Sequence, residues 1–375
     1  MTWAGTLVDM CTEKFLSWIA AMLLLFSCTK EGDTIYLPDS NEEKASTAPL
    51  VTVIYDANAL GDRSYNDLIY EGVERTALEL GLRTMQHSPR SHDEGLQYLE
   101  MMFSQMESAR DSVRRLFIIA GTSYDEFIRN NNKRLESNPY ADLLYMETRV
   151  PLEDKGSTLF MPYYGAMYEA GRIEAMTEYP NVMLVGANRQ TEAVVEALQG
   201  FQDGFEAGMR LLSEKQKKDT KLGITWLDET GQGGFSIADS TALRLMWQWK
   251  AEEYDEIVPV CGGAFNTFAR LNNLVSFALV GIDYFYDSYH SVYSVVKHIR
   301  RTMDTCIRQW LSGKGIPKHQ SLGLASGYTE VIINRPIIIR IPKGYQGTTV
   351  PTLTEEMKQA IHEEAVRKEE EHEGR

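Results

Sequence analysis

The amino-acid sequence predicts an α/β protein of two lobes, each built on a parallel sheet with helices on both faces. Three observations lead to this class. Short apolar runs alternate with helical patterns from Leu50 onward. Polar residues or glycines follow most of those runs directly. The chain has 375 residues, which suits two lobes better than one.

Seven apolar runs in the body of the chain are predicted strands. Their content of valine, isoleucine and leucine is typical of strands that are buried on both faces. The carboxyl-terminal segment Tyr328–Ile341 is also predicted to be rich in β-structure, because isoleucines cluster there. The seven strands are Leu50–Tyr55, Leu116–Ala120, Leu143–Met146, Asn181–Ala187, Leu222–Leu227, Ile257–Cys261 and Phe277–Ile282.

Helical periodicity appears between the strands. Ser64–Leu80 carries its apolar residues on one face, and Gly81 after it is a typical stop signal. The same pattern predicts the helices Tyr163–Thr177, Glu192–Ser213, Phe268–Leu274 and His290–Leu311. The tail Glu355–Glu373 is predicted to be a charged helix or a frayed end. A solvated appendage is favoured there over a partner-binding helix, since its apolar stripe is thin.

The amino terminus has the features of an export signal. The apolar run Phe15–Phe26 follows Lys14 and has the length of a signal-peptide core rather than of a membrane span. It ends at Leu25-Phe26-Ser27-Cys28, which resembles a bacterial lipobox. Residues 1–27 are therefore predicted to be a signal peptide, Cys28 a lipid attachment site and residues 28–48 a tether. An ordinary cleaved signal, an uncleaved anchor and a start at Met10 are the alternatives.

Composition and motifs exclude several classes of protein. The net charge of −15 argues against nucleic acid as a partner, because a phosphate backbone requires a basic face. Neither a nucleotide-binding loop nor a hydrolase or zinc-protease motif occurs, so no catalytic role, cofactor or metal is predicted.

His87 and His92 flank Pro89 and are interpreted as loop histidines. Cys261 and Cys306 could pair, although buried free thiols are favoured.

Polar residues at strand ends carry the functional prediction. Asp56 follows the first strand, and Tyr65 and Asn66 stand at the start of the next helix. The carboxyl ends of parallel strands meet at one edge, so these groups should line a common crevice. One such acid alone is more often a helix cap than a ligand contact, but the set predicts a small-molecule site. The other strand ends are followed by Gly121-Thr122-Ser123, Glu147, Asp228, Gly262-Gly263 and Asp283.

Five motifs, in order and spacing, resemble one known family. That family is the basic membrane protein family of substrate-binding lipoproteins, which includes purine-nucleoside receptors of ABC transporters. The resemblance extends from residue 50 to about residue 335. The motifs are Asp56 with Asp62-Arg63-Ser64-Tyr65-Asn66, Tyr168-Glu169-Ala170-Gly171, Gly200-Phe201-Gln202-Asp203-Gly204-Phe205-Glu206-Ala207-Gly208, Gly262-Gly263 with Val280-Gly281-Ile282-Asp283, and Ser294-Val295-Val296-Lys297.

The resemblance implies a type I periplasmic-binding-protein fold, in which two Rossmann-like lobes with parallel sheets are joined by a three-crossing hinge. It places lobe 1 at residues 49–155 plus 286–325 and lobe 2 at 156–285 plus 326–350. Residues 351–375 remain as the charged tail.

The resemblance also implies roles for individual residues. Asp56 and Asp283 match aspartates that hydrogen-bond the ligand, and Tyr65 matches a phenylalanine that stacks on its base. Glu147 falls where the family has an aspartate that binds ribose hydroxyls. Asn66, Gly262, Gly263 and Lys297 match further motif residues near the cleft. Two segments depart from the family pattern: Asp283-Tyr284-Phe285-Tyr286 and Trp226–Asp239.

These observations predict a solute-binding protein of the bacterial cell envelope, lipid-anchored and facing the periplasm or the exterior. It would capture a nucleoside or similar small polar ligand for the permease of an ABC-type transporter. An alternative is an envelope lipoprotein repurposed for protein interaction or sensing, motivated by Tyr284–Asp287 and the charged tail. A third is an exported enzyme with Asp56 or Asp283 as acid or base, which no motif supports.

Overall fold

The computed structural model describes residues 47–109, 111–179, 181–286, 288–340 and 351–374, and all of them belong to a single structural unit. The predicted signal peptide, the predicted lipid site at Cys28 and nearly all of the predicted tether lie outside these residues. So do residues 341–350 of the predicted second lobe. No helix in the described ranges is long and apolar enough to cross a membrane.

The first sheet has six strands, all parallel. They are β1 (Leu50–Ile54), β2 (Arg83–His87), β3 (Arg115–Ile119), β4 (Ala141–Met146), β5 (Ser157–Phe160) and β11 (His319–Ser321). Their order across the sheet is β11-β5-β4-β3-β1-β2. Helices cover both faces: α1 (Tyr65–Leu80), α2 (His92–Ser108), α3 (Asp125–Asn131), the 3₁₀ turn Asn132–Ser137 and α9 (Ile299–Leu311). Each face buries its own apolar cluster.

The second sheet also has six strands. They are β6 (Asn181–Asn188), β7 (Lys221–Asp228), β8 (Glu256–Val260), β9 (Ala278–Asp283), β10 (Ser291–Lys297) and β12 (Thr329–Ile333). Their order is β12-β10-β9-β8-β6-β7, and only β12 runs antiparallel to its neighbour. The helices of this lobe are α4 (Tyr164–Glu174), α5 (Glu192–Met209), α6 (Glu214–Lys218), α7 (Asp239–Ala251), α8 (Ala264–Val275) and α10 (Glu355–His372).

The chain passes between the two lobes three times. It leaves the first sheet after β5 and enters the second lobe at α4, returns between β10 and α9, and crosses again between β11 and β12. The predicted fold of two α/β lobes with mostly parallel sheets and a three-crossing hinge is therefore confirmed. Cys261 and Cys306 are free and buried in the cores of different lobes, as favoured from the sequence.

The positions of the crossings differ from the predicted lobe boundaries. Ser157–Phe160 belongs to the first sheet although the second lobe was predicted to begin at residue 156. Ser291–Lys297 is a strand of the second sheet, although it was predicted to be part of a helix in lobe 1. All seven of its residues are buried. The run mixes two serines and a lysine with its apolar residues and shows neither a strand period nor a helix period, so periodicity alone misassigned it.

The charged tail is not a solvated appendage. Residues Glu355–His372 form a regular helix that packs along α4, and Ile361, Ala365 and Glu369 are buried against the lobe. The apolar stripe is narrow, but Ala365 has a small side chain and allows the two helices to approach closely.

The loop interpretation of the histidines was also wrong, because His87 ends β2 and is buried, whereas His92 begins α2.

Two carboxyl groups are buried side by side in the core of the second lobe. Glu174 and Glu256 are both completely inaccessible to solvent. Glu174 accepts hydrogen bonds from the hydroxyls of Thr177 at 2.8 Å and Tyr293 at 2.9 Å. Burial, reinforced by the adjacent Glu174 carboxylate, raises the pKa of Glu256 well above its ordinary value. The folded protein therefore holds a proton on this pair at pH values where the unfolded chain has lost it.

This raised pKa predicts a pH-dependent stability that Glu256→Gln removes. The pKa of Glu256 is higher in the folded protein than in the unfolded chain. The contribution of Glu256 to the unfolding free energy is therefore fully present below about pH 4.5, and it is lost as pH rises toward the folded-state pKa. We expect the variant to match the parent near pH 5 and to exceed its unfolding free energy at pH 8, by at most about 1.4 kcal/mol per pH unit of difference. Urea unfolding at both pH values measures this.

The exposed Glu178 offers a matched control for that experiment. Glu178→Gln removes the same charge without changing a buried group, so its stability should follow the parent at both pH values. Equal stability of Glu256→Gln and the parent at pH 8 would contradict the assignment.

Candidate ligand-binding site

The carboxyl ends of the two sheets face each other, and polar side chains fill the space between them. Three of the predicted site residues supply negative charge there: Asp56 after β1, Glu147 after β4 and Asp283 at the end of β9. Burial is the largest cause that raises the pKa of the Tyr65 hydroxyl. All three carboxylates lie close enough to raise that pKa further. The structure thus brings these predicted residues together around one aromatic ring.

Asp283 connects the two lobes. Its carboxylate accepts a hydrogen bond from Ser64 Oγ of the first lobe at 2.6 Å and another from the hydroxyl of Tyr163, which lies at the first crossing. The side chain is buried, and the backbone has a φ of 73°. Non-glycine residues in this left-handed region are uncommon and concentrate at functional sites. Here the conformation turns the carboxylate toward the opposite lobe.

Glu147 and Lys297 form a second connection between the lobes. Lys297 Nζ lies 3.2 Å from Glu147 Oε1, and both side chains are largely buried. The ammonium also lies 4.2 Å from the ring centroid of Tyr163 and 5.8 Å from that of Tyr65. Burial raises the pKa of Glu147, and Lys297 opposes that rise. The second oxygen of Glu147, Oε2, is buried and accepts no hydrogen bond from the described residues.

Asp56 is fixed by the neighbouring strand end. Ser123 Oγ donates to its Oδ1, and Gly121 lies against the same carboxyl group. A Cβ atom on Gly121 would stand 2.1 Å from Asp56 Oδ2, so only glycine fits there. Burial raises the pKa of Asp56, while the hydrogen bonds from Ser123 lower it. The carboxyl group is therefore held in one orientation beside the cleft.

Tyr65 and Asn66 have different surroundings. The Tyr65 hydroxyl donates to the carbonyl oxygen of Ala120 at 3.0 Å, which leaves the ring as its contribution to the cleft. Asn66 donates to Asp62 Oδ2 from both its backbone N–H at 3.0 Å and its side-chain Nδ2 at 2.9 Å. This closes the first turn of α1. A ligand contact by Asn66 remains a prediction, and the second N–H and the Oδ1 of its amide group could make it.

Gly262 and Gly263 lie at the same cleft, beside an aromatic ring that the sequence did not indicate. A Cβ atom on Gly262 would stand 3.1 Å from Phe235 Cδ1, and one on Gly263 would stand 3.3 Å from the Cα of Asp62 in the opposite lobe. Gly262 also has a φ of 50°. Phe235 keeps 40% of its surface exposed. An aromatic ring at the mouth of the cleft is available to contact a ligand.

The loop that carries Phe235 is organised by Asp228. The Asp228 carboxylate accepts backbone N–H groups from Gly231 at 2.9 Å and Gly233 at 3.0 Å. Asp228 is thus a loop-capping residue rather than a member of the cleft. Phe235 was missed because the segment has neither helical nor strand periodicity. The available signal was an aromatic residue within a glycine-rich loop directly after a strand.

The two lobes touch each other in this structure. Asn266 Nδ2 donates to the carbonyl oxygen of Asp62 at 2.6 Å, in addition to the Ser64 and Lys297 contacts. Tyr284 packs against the core of the first lobe.

Within the described ranges, no group of three or more His, Cys, Asp or Glu residues is arranged to hold a metal ion. The site therefore offers carboxylate acceptors, one ammonium donor and aromatic faces.

Comparison with solved structures identifies the fold. Neither a protein-family profile nor a curated protein sequence matches the chain. A solute-binding protein of an ABC transporter from Aeropyrum pernix K1 superimposes with a TM-score of 0.60 at 19% identity, covering 85% of this chain and 86% of that one. A periplasmic solute-binding protein from Actinobacillus succinogenes, solved with bound D-allose, has a TM-score of 0.57 at 12% identity, with coverages of 76% and 98%.

A third similar structure has a different described role. A transcriptional activator of the comK gene from Bacillus halodurans gives a TM-score of 0.58 at 14% identity, covering 84% of this chain and 96% of that one. At these identities the similarity establishes the fold alone, which is that of the type I periplasmic binding proteins. The narrower resemblance to the basic membrane protein family remains a prediction from the sequence motifs.

Proposed function

We propose that this chain is an extracytoplasmic solute-binding protein that captures a small polar ligand between its lobes. The observation that carries the proposal is the meeting of Asp56, Glu147, Asp283 and Lys297 at two facing sheet edges, beside Tyr65. Carboxylates accept hydrogen bonds from hydroxyl or amino groups, and each such bond contributes about 1.5–3 kcal/mol. Ligands of open α/β sheets bind at this edge.

The ligand we favour is a nucleoside or a similar metabolite that joins a ring to several hydroxyls. Tyr65 and Phe235 offer aromatic faces, and stacking on such rings adds about 0.5–1.5 kcal/mol per pair beyond burial. The buried Glu147 Oε2 offers a further acceptor for a ligand hydroxyl. The allose-bound neighbour is consistent with a polyhydroxylated ligand in this fold.

The same proposal includes anchoring and delivery. A lipid on Cys28 would hold the protein at a membrane, and the segment to Thr47 would tether the lobes to it. The bound ligand would then pass to the permease of an ABC-type transporter. The alternative, an envelope lipoprotein repurposed for protein interaction or sensing, loses one of its two motivations, because the tail helix packs its apolar stripe on α4.

Thermal unfolding with a metabolite panel tests the proposal. The predicted mature chain, residues 28–375 carrying Cys28→Ser, would be melted with nucleosides, nucleobases, sugars and amino acids. A ligand at a hundred times its dissociation constant adds about 2.7 kcal/mol, which should raise the midpoint by at least about 2 °C. A larger shift with inosine than with ribose or hypoxanthine alone would support a nucleoside. A cooperative transition that no compound moves would contradict ligand capture.

A further inference from the structure

The carboxyl-terminal helix spans the junction between the lobes. We use the name strap for residues Glu355–Gly374. Most of the strap lies on the second lobe, where Ile361 and Ala365 are buried. Polar contacts with α4 reinforce that packing: the Tyr168 hydroxyl donates to Glu364 Oε1 at 2.6 Å, and His362 Nδ1 lies 2.9 Å from Glu169 Oε2. These contacts fix the strap to the second lobe between Ile361 and Ala365.

The end of the strap contacts the other lobe. Glu373 forms an ion pair with Arg149, which follows β4, and accepts a hydrogen bond from Ser321 Oγ, at the end of β11, at 3.0 Å. Both partners belong to the first lobe. Arg149 also pairs with Glu192 at 2.8 Å and Glu196 at 2.7 Å, which are on α5 of the second lobe. One guanidinium therefore joins the first lobe, the second lobe and the strap.

The strap lies against the hinge itself at Glu369, one turn before its contact with the first lobe. Glu369 is only 2% exposed, and its Oε1 accepts the backbone N–H of Ala325 at 3.4 Å, in the third crossing. Gly165 and Gly323 lie against the same carboxyl group. A Cβ atom would stand 2.5 Å from Glu369 Oε2 at Gly165 and 2.4 Å from Oε1 at Gly323. Gly165 stands just after the first crossing, so Glu369 occupies a notch formed by two of the three crossings.

We infer that the strap holds the two lobes in the arrangement seen here and resists their separation at the hinge. Arg149 and Ser321 are in the first lobe, whereas the strap rests on the second. A rotation that separates the lobes must therefore break the contacts of Glu373 or lift the strap from α4. A cavity of about 430 Å³ borders Arg149, His319, Ser321 and Glu373, so the end of the strap has room to move when those contacts break.

The strap also sets ligand affinity, a consequence that rests on the proposed function. If the ligand binds the closed arrangement, its apparent dissociation constant equals the intrinsic value divided by the closed fraction. Removing the strap contacts lowers that fraction and weakens binding. The separation of the lobes itself can be measured without any ligand.

The test measures the distance between the lobes by electron paramagnetic resonance. Spin labels would be placed at Asp93→Cys and Gln232→Cys, two exposed positions that follow the carboxyl ends of edge strands in different lobes. Cys261 and Cys306 are buried and should remain unlabelled. The protein is again residues 28–375 with Cys28→Ser, which contains the whole structural unit.

Two pairs of substitutions on the same helix are compared. Glu369→Ala with Glu373→Ala removes the hinge and lobe contacts, and Glu363→Ala with Glu370→Ala replaces two exposed glutamates as the control. We expect the first pair to at least double the population at longer distances and the control to superimpose on the parent. A strap variant with the parent's distance distribution would overturn the inference. Glu373→Ala alone serves if the double variant does not fold.

Ligand titration of the same variants separates the two claims. For any ligand that binds the parent, the strap variant should bind about two- to tenfold more weakly, and the control should bind equally. If the distance distribution widens and the dissociation constant does not change, only the claim that the strap sets ligand affinity is overturned. If no ligand binds the parent, the proposed function fails while the distance measurement still decides the role of the strap.

Discussion

Replacing Asp283 with asparagine is expected to weaken ligand binding about 10- to 100-fold, and Asp56→Asn should have a similar effect. Each change keeps the shape of the side chain but removes the charge that a ligand hydroxyl or amine would meet. A hydrogen bond to a charged group contributes about 1.5–3 kcal/mol, and about 1.4 kcal/mol corresponds to a factor of ten. Calorimetric titration with the ligand found in the thermal panel measures the change.

The exposed Asp93 provides the control for both substitutions. Asp93→Asn removes the same charge from the first turn of α2 and should bind the ligand like the parent. Ser64 Oγ and the Tyr163 hydroxyl donate to different oxygens of Asp283. In Asp283→Asn one hydroxyl can still donate to the amide oxygen and the other can accept from the amide NH₂ group, so the variant should remain folded. Parent-like affinity in both cleft variants would show that the ligand binds elsewhere.

The second large effect concerns the buried ion pair. We expect Lys297→Met to lower the unfolding free energy by about 3–5 kcal/mol, because it leaves the Glu147 carboxylate buried without its cation. For a protein of this size that corresponds to a fall of roughly 5 °C or more in the melting midpoint. Thermal and urea unfolding measure it.

A double substitution separates the loss of charge pairing from the loss of packing. Lys297→Met with Glu147→Gln removes both charges of the pair, so it should recover part of the lost stability. Lys314→Met, at an exposed lysine, should cost little. A double variant less stable than Lys297→Met alone would contradict the view that the unpaired carboxylate causes the loss.

The sequence predicted those parts of the fold whose signals are local. The helix Tyr65–Leu80 shows a clear apolar face, and Gly81 ends it in the left-handed conformation that glycine favours. Strands buried on both faces, such as Leu50–Ile54, were also predicted. The edge strand Arg83–His87 was missed, because four of its five residues are charged or polar and its burial is only partial.

Tertiary contacts explain what the sequence could not show. The strap looked solvated because only a narrow stripe is apolar, yet Glu369 is buried in a notch between Gly165 and Gly323. A notch made by two distant crossings leaves no local pattern in the chain. The strand at Ser291–Lys297 was missed for a local reason, because its mixture of valines with serines and a lysine shows no clear period.

The candidate site likewise contains residues that the sequence could predict and residues that it could not. Asp56, Glu147 and Asp283 could be predicted to converge because each stands at a strand end, and parallel strands share one edge. Ser64, Tyr163 and Phe235 could not, because their places depend on how the two lobes face each other. Ser64 meets Asp283 although 219 residues separate them along the chain.

Calorimetric titration with nucleosides of residues 28–375 carrying Cys28→Ser, side by side with the same chain carrying Asp56→Asn, measures directly whether the cleft binds a ligand. We expect saturable binding of one nucleoside per chain with micromolar or tighter affinity, about −8 kcal/mol or more favourable. In Asp56→Asn this binding should be lost or markedly weaker. Absence of binding by any nucleoside or sugar to a folded parent would contradict the claim that this cleft captures a small polar ligand. Binding that Asp56→Asn leaves unchanged would contradict the position of the site.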